Sequence, residues 1–303
     1  MSDSIKKFLF QDRSVRVESV RLTEAWLQSQ AHHSNPPCVT KLLGELVAAA
    51  TLMAANIKFD GALLLQLQGD GPVALMVAEC RSDMTIRATV KLRDRDIPAD
   101  GSLQSLVNPH GGARFIVVLD PPKNKPGRQP YQGIVPLEAD TIAHALEEYM
   151  LRSEQLQTRI WLASDASCCT GLLLQQLPLQ GGIQSSDKEA AAQSWERACM
   201  LGATIGEPEL LATDQDTLMH RLFWEEPLLT FEAREVKWWC GCTRERVEDM
   251  LRMLGRDEVN SILAEQGRID VSCEFCGKPY GFDPVDATSL FHQVHAGDDN
   301  TRH

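Results

Sequence analysis

Four cysteines near the C-terminus fall in two tight pairs, Cys240-Gly241-Cys242 and, after thirty intervening residues, Cys273-Glu274-Phe275-Cys276. Two short chelating pairs brought together by the chain between them supply four sulfur ligands, the set that tetrahedral zinc takes at about 2.3 Å. Gly241 removes the Cβ that would crowd the first pair. Gly277, directly after the second, lets the chain turn tightly beneath an ion, as in a zinc knuckle. Four thiolates around one divalent cation leave a net anionic, electron-rich site, and an oxidant that joins thiolates into disulfides destroys the ligand set. A structural metal site and a redox sensor can therefore be the same object.

Other chemistry-bearing residues are weaker candidates. Cys273-Glu274-Phe275-Cys276 alone has the form of a thiol-disulfide exchange site, but such a motif opens a helix inside a βαβ unit, and Gly277-Lys278-Pro279 blocks a helix here. His292 and His295 have the i, i+3 spacing of a metal pair and read as an exposed helix face. Cys38, Cys80, Cys168, Cys169 and Cys199 read as small core or surface residues. No Ser/His/Asp order, phosphate loop or carboxylate pair stands out, so no catalytic residue is assigned and the chain is not expected to be an enzyme.

The residues between the two pairs must fold to bring them together. Val247, Met250, Leu251 and Leu254 form one apolar helical stripe stopped by Gly255; Asp257 can cap a second helix carrying Val259, Ile262 and Leu263, stopped by Gly267. Ile269 and Val271 then alternate with Asp270 and Ser272 in a short strand that delivers the second pair. Beyond it, Asp283-Pro284 is a cap followed by proline at the first helical position. Domains of about 55–65 residues are marginal on buried area alone. Structural zinc contributes about 10–16 kcal/mol in thiolate peptides, against about 5–15 kcal/mol net stability for a typical domain. Losing the metal should unfold the module.

The first half reads as α+β. Thr40 is placed as the cap of a helix through Lys41-Leu42-Leu43-Gly44-Glu45-Leu46-Val47. Strands are expected at Ala62–Gln68, Val73–Ala78, Met84–Lys91 and Arg114–Leu119, a helix at Asp140–Arg152, and further strands at Thr158–Ser164 and Gly171–Gln176. Grouped strands argue for an antiparallel sheet domain and against the strand-helix alternation of a nucleotide-binding fold. The Gly/Ser-rich stretch Leu179–Ser186 marks a domain exit. Past it, Lys188–Met200 and Asp216–Glu226 are helix-like but thinly apolar, anchored by Trp195, Leu218, Leu222, Phe223 and Trp224. Helices of this length are unstable alone in water, so their order must come from packing on a neighbour. Trp238 and Trp239 are expected to pack on the C-terminal module or on this linker. The resulting division is an N-terminal domain over 1–184, a metastable helical linker over 185–239 and a small zinc-binding α/β module over 240–303.

Composition sets the outer bounds. The 303 residues favour two domains, and 43% apolar with 24% charged residues is ordinary globular composition. A net charge of −12 repels phosphate and anionic lipid, so neither nucleic acid nor membrane is an expected partner. The N-terminus lacks the basic start and apolar run of a secretory signal, and the apolar stretch near Leu46–Ala55 is about half the roughly 18 residues needed to cross a bilayer. A cytoplasmic protein is expected, with its nine cysteines reduced rather than bridged.

Taken together, these stretches resemble the 33-kDa chaperonin family of redox-switched heat-shock holdases. The resemblance spans nearly the whole chain. It is carried by Lys58-Phe59-Asp60-Gly61, Leu67-Gln68-Gly69-Asp70-Gly71-Pro72, Tyr131-Gln132-Gly133-Ile134-Val135, Glu147-Glu148-Tyr149 and Arg152-Ser153-Glu154-Gln155-Leu156. Most specific are Cys240-Gly241-Cys242-Thr243-Arg244-Glu245-Arg246, Ser261-Ile262-Leu263-Ala264-Glu265 and Cys273-Glu274-Phe275-Cys276-Gly277. The resemblance implies a substrate-binding N-terminal domain, a linker held folded by the zinc module while reduced, and one zinc ion on Cys240, Cys242, Cys273 and Cys276. It further implies that peroxide with unfolding stress, or hypochlorous acid, closes disulfides Cys240–Cys242 and Cys273–Cys276, releases zinc and unfolds module and linker. The active form would be a homodimer that holds unfolding client proteins without ATP until foldases take them. The five further cysteines depart from the family picture and could divert oxidation into mixed disulfides. A constitutive zinc-ribbon adaptor is the alternative reading.

Overall fold

The computed structural model describes residues 3–57, 60–122, 129–178 and 185–291, with the side chains of 185–187 outside that description. Lys58-Phe59, most of the Leu179–Ser186 exit segment and the His292/His295 pair therefore lie outside the described residues. The chain divides into two compact units, Met1–Trp239 and Cys240–His303.

The first unit opens with strands β1 (Ser4–Phe10) and β2 (Val15–Leu22), passes through α1 (Glu24–Gln30) into the long helix α2 (Pro37–Asn56), then lays down β3 (Ala62–Gln68), β4 (Val73–Arg81) and β5 (Thr85–Leu92). The short α3 (Leu103–Val107) precedes β6 (Arg114–Asp120), β7 (Tyr131–Pro136), α4 (Ile142–Tyr149), β8 (Thr158–Ser164) and β9 (Cys169–Gln176). Helices α5 (Ser185–Gly202), α6 (Glu207–Ala212) and α7 (Gln215–Phe223) follow, and three short strands, β10 (Leu228–Thr230), β11 (Arg234–Glu235) and β12 (Lys237–Trp238), close the unit. One sheet runs β10-β1-β2-β9-β8, with β11 also on β1; the other runs β12-β5-β4-β3-β6-β7. Every pairing is antiparallel except β12 on β5, so the α+β reading holds.

Helix α2 lies against strands of both sheets. Its apolar residues point almost all round, which is why Leu43, Leu46, Ala48, Ala49 and Leu52 are all inaccessible. The helix is long and apolar enough to meet the membrane-span test, and burial in this core accounts for that composition. It starts earlier than Thr40: Pro36 is the cap residue and Pro37 occupies the first turn, where its missing N–H costs nothing. The next helix is also shorter than its sequence pattern. Thr141 caps α4 by accepting from the His144 amide, and after Tyr149 the chain widens into a π-turn over Met150–Glu154 that ends with Gln155 in the left-handed region.

The Gly69-Asp70-Gly71-Pro72 turn joins β3 to β4. A Cβ on Gly69 would lie 2.2 Å from the Val73 carbonyl oxygen and 2.6 Å from that of Val107, so only glycine fits. Arg93 fastens the turn by donating to the carbonyls of Gly69 and Gly71 at 2.8 and 2.6 Å.

The linker helices find their neighbour on the β1-β2-β9 sheet. Trp195, Leu210, Leu218, Leu222 and Phe223 form a second apolar cluster with Phe8, Phe10, Val15, Val17, Leu172 and Leu174. Phe10 and Phe223 meet edge to face at 5.6 Å. Trp224 is 68% exposed and anchors nothing. The tryptophans before the cysteines also belong to this unit rather than to the module: Trp238 packs on the main core, and Arg81 stacks 4.4 Å from the Trp239 ring centre.

Where α6 meets α2, Lys41 pairs with Glu207 at 2.6 Å beside Glu45. Burial pushes the Glu45 carboxyl up to about 7, with Lys41 opposing and Glu207 adding to the rise. A carboxyl raised from 4.5 binds its proton more tightly in the folded state, so stability falls as pH rises through the window from 4.5 to about 7 and is level above it. Glu45→Gln is expected to stabilise the protein above neutral pH by roughly 1–3 kcal/mol and to leave acid stability unchanged. Thermal unfolding against pH checks this; equal gains at both ends would contradict it.

The second unit contains α8 (Arg244–Leu254), α9 (Arg256–Gln266), the hairpin β13 (Ile269–Ser272) and β14 (Pro279–Phe282), and α10 (Pro284–Leu290). Gly255 and Gly267 stop the two helices with positive φ, as their positions predict. Gly255 also fills the capping position of α9, so Asp257 lies inside its first turn rather than capping it. Asp283 caps α10 with Pro284 in the first turn. The core is thin: Leu251, Val259, Ile269, Tyr280, Phe282, Ala287 and Leu290. Met250 and Leu254 of the expected stripe are largely exposed, and Met253 is 82% exposed.

Candidate metal centre

Cys240 and Cys242 sit in the extended stretch directly before α8, whose start is fixed by Thr243 accepting from the Arg246 amide at 3.2 Å. Cys273 follows β13 and Cys276 lies in the tight turn to β14. That turn is closed by Gly277 N–H donating to Cys273 O at 2.8 Å and Cys273 N–H donating to Lys278 O at 3.0 Å, with Gly277 at φ 67°. Arg244 binds the two halves of the unit together. It donates to Gly281 O at 3.0 Å, pairs with Asp286 at 2.9 Å and lies 4.3 Å from the Phe282 ring centre.

These elements bring all four sulfurs within 4.8 Å of one another. Cys240 and Cys273 approach to 3.6 Å, and Cys242 and Cys276 to 3.3 Å. A tetrahedron with sulfur at about 2.3 Å from its centre has edges of about 3.8 Å, so the donor set fits one zinc-sized ion. Both of these approaches run across the two sequence pairs, so the pairs meet at one point. Cys276 is buried and the other three are half-buried, which leaves an oxidant a route to the sulfurs.

The thiols do not ionise alike. Burial pushes Cys242 up, but hydrogen bonds from Tyr280, Cys276, Cys240 and Cys273 outweigh it and bring that thiol down to about 7. Burial and its role as a donor raise Cys240 to about 11, and Cys276 is driven up for the same reasons. One thiolate therefore forms near neutrality, and a divalent cation must displace the remaining protons, so metal affinity falls as pH falls.

Outside the quartet, Cys80, Cys168 and Cys169 are buried, and burial raises all three thiols, Cys80 to about 12. For Cys80 a rise from 9.0 to about 12 cuts the thiolate fraction about a thousandfold, and burial acts in the same direction on Cys168 and Cys169, so these sulfurs are poor partners for mixed disulfides. Cys38 and Cys199 are half-buried. Alkylation of reduced, metal-loaded protein is expected to label Cys38 and Cys199 and to spare Cys80, Cys168 and Cys169. Labelling of Cys80 as fast as Cys199, read by peptide mass spectrometry, would contradict that assignment.

Sequence reasoning missed two supports of this centre, Tyr280 and Arg244. Tyr280 is buried, and its hydroxyl faces the Cys242 sulfur. The signal available was an aromatic two residues after Lys278 in a strand pairing back on Val271.

The family model described as Hsp33 protein matches residues 3–283. A 33 kDa chaperonin from Methylobacillus flagellatus is 45% identical over 293 residues, covering 96% of this chain and 95% of the relative. That from Chromobacterium violaceum is 43% identical over 303 residues, covering 99% and 98%. One from Pseudomonas aeruginosa is 40% identical over 304 residues, covering 100% and 99%. The crystal structure of a 33 kDa chaperonin, a heat shock protein 33 homolog from Thermotoga maritima, shares the fold with a TM-score of 0.77 at 21% identity over 96% of this chain and 98% of that one. With the family model spanning nearly the whole sequence and relatives of this similarity aligned end to end, the chain belongs to the Hsp33 family, that of the 33 kDa chaperonins.

Proposed function

We propose that this protein is a redox-regulated, ATP-independent holdase, switched by the four-cysteine centre. Membership of a chaperone family and the cysteine cluster together support a zinc- and thiol-linked chaperone function, one that binds clients rather than turning over a substrate. The observation that carries the switch is the convergence of four sulfurs in a unit whose own core is small. In the reduced state Cys240, Cys242, Cys273 and Cys276 would hold one zinc ion, which supplies the folding free energy that the thin core lacks.

Oxidation closes Cys240–Cys242 and Cys273–Cys276. Each new S–S bond delivers two electrons to one peroxide, whose O–O bond breaks to give two waters with protons taken from solvent. With no thiolate left, the cluster holds no divalent cation, and residues 240–303 lose their main support. The linker, residues 185–239, loosens next, uncovering the apolar face around Phe8, Phe10, Val15 and Val17 of the N-terminal domain, residues 1–184. The −12 net charge keeps the resulting client complexes soluble. The active form is a homodimer working in the cytoplasm.

The test compares two states of the same protein. Reduced, zinc-loaded chain is expected to leave aggregation of a heat-denatured client unchanged, and chain treated with peroxide at elevated temperature to suppress it. Equal suppression in both states would instead mark a constitutive zinc-ribbon adaptor, and turnover of a disulfide substrate an oxidoreductase.

A further inference from the structure

The last stretch of the linker is bound differently from its helices. After α7 the chain runs along the edge of the first sheet, pairing Leu228, Leu229 and Thr230 with Phe10, Leu9 and Phe8, then Arg234 and Glu235 with Ile5 and Ser4. It then crosses to the second sheet, where Lys237 and Trp238 lie parallel to Thr85 and Ile86. The strap is held by main-chain bonds along its length. Gln11 N–H donates to Pro227 O at 3.1 Å, Phe231 N–H to Lys7 O at 3.0 Å, Val236 N–H to Asp3 O at 3.0 Å, Lys237 N–H to Met84 O at 3.1 Å and Trp239 N–H to Ile86 O at 3.1 Å.

Over Leu229–Glu235 its side chains contribute little by comparison, and Val236 and Trp238 anchor its end on the main core. Leu229 and Phe231 are 43% and 48% exposed, Glu232 to Glu235 are exposed, and within Leu229–Val236 only Val236 is fully buried. A strand held by backbone bonds is recognised almost irrespective of its sequence. Without it, β1 and β5 would each present a row of unpaired N–H and C=O groups, a template for any extended chain. On β1 the template adjoins apolar surface: Phe8 and Phe10 belong to the cluster that the linker helices cover.

We propose that Leu228–Trp238 is a removable edge strand, and that an unfolding client, once the strap has left, adds to the freed edges of β1 and β5 as an extended segment of alternating apolar and polar residues. Backbone pairing gives tolerance of many client sequences, and the Phe8/Phe10 face selects segments with an apolar side. This rests on the holdase reading above and adds where and in what form the client is held. Lys7 O and Gln11 N–H face the strap, so by strand alternation the Leu9 amide faces it too, while Phe8 and Phe10 amides face β2.

Residue-resolved hydrogen exchange on the full chain tests it in three states: reduced and zinc-loaded, oxidised, and oxidised with reduced, carboxymethylated α-lactalbumin as a permanently unfolded probe. Exchange at Leu9 and Gln11 is expected to speed up by about tenfold or more on oxidation and to slow by about tenfold again when the probe is bound. If the probe binds and aggregation is suppressed while Leu9 and Gln11 stay fast, the edge proposal fails and the holdase reading stands. If protection returns without probe as protein concentration rises, a second copy's strap is the occupant and the proposal fails. If the oxidised chain binds no probe at all, the holdase reading fails and this proposal with it.

Discussion

Cys276→Ser is expected to abolish stoichiometric zinc binding and to unfold the second unit, α8 to α10, while strands β1 to β9 keep their fold. Cys276 is the buried member of the quartet, 3.3 Å from Cys242, so its loss breaks the tetrahedron at its least replaceable corner. Among the described residues of the second unit the core cluster holds seven buried apolar side chains, too few to stand without the ion. Zinc in thiolate peptides is worth about 10–16 kcal/mol, comparable to the whole net stability of about 5–15 kcal/mol of a typical domain. Metal analysis with a two-dimensional amide spectrum reads the result: collapsed dispersion for α8, α9 and the β13–β14 hairpin, and retained dispersion for the sheets. A serine variant in which the second unit keeps native shifts without metal would contradict the assignment.

Phe223→Ala is expected to loosen the linker without touching a sulfur. Phe223 is 2% exposed and packs edge to face on Phe10, at the centre of the cluster joining α5, α6 and α7 to the first sheet. Truncating a buried phenylalanine costs about 3–5 kcal/mol, and helices of this length draw their order from such packing. In reduced, zinc-loaded protein the amides of α7 should exchange faster, and suppression of client aggregation should appear with less oxidant or none. Unchanged exchange and an unchanged oxidant requirement would show that the helices do not draw their order from this face.

The four-cysteine cluster was legible in the sequence because paired spacing and turn glycines are local signals, and the chain between the pairs brings the four sulfurs together. Strands β3 and β8 were equally plain, since apolar runs bounded by turn residues need no tertiary knowledge. Strands β1 and β2 were not. Their pattern is broken by Lys6, Lys7, Arg16, Glu18 and Arg21, and Glu18 is wholly buried because Lys7 reaches it at 3.0 Å from the neighbouring strand. That compensation exists only after the strands pair. The strap is harder still, because β11 and β12 are two residues long and exist only through edges supplied by chain more than 150 residues earlier. The linker helices read as needing a neighbour to pack on; what they lean on, the β1-β2-β9 face, was hidden for the same reason that β1 and β2 were.

The most direct measurement follows zinc release, thiol loss and amide exchange together while reduced, zinc-loaded protein is oxidised by peroxide at elevated temperature. The account predicts one zinc freed per chain as Cys240, Cys242, Cys273 and Cys276 disappear as thiols, with protection in α5, α6 and α7 lost on the same time course. A chain purified without metal yet ordered throughout residues 240–291, or linker amides that stay protected once all four sulfurs are bridged, would contradict it.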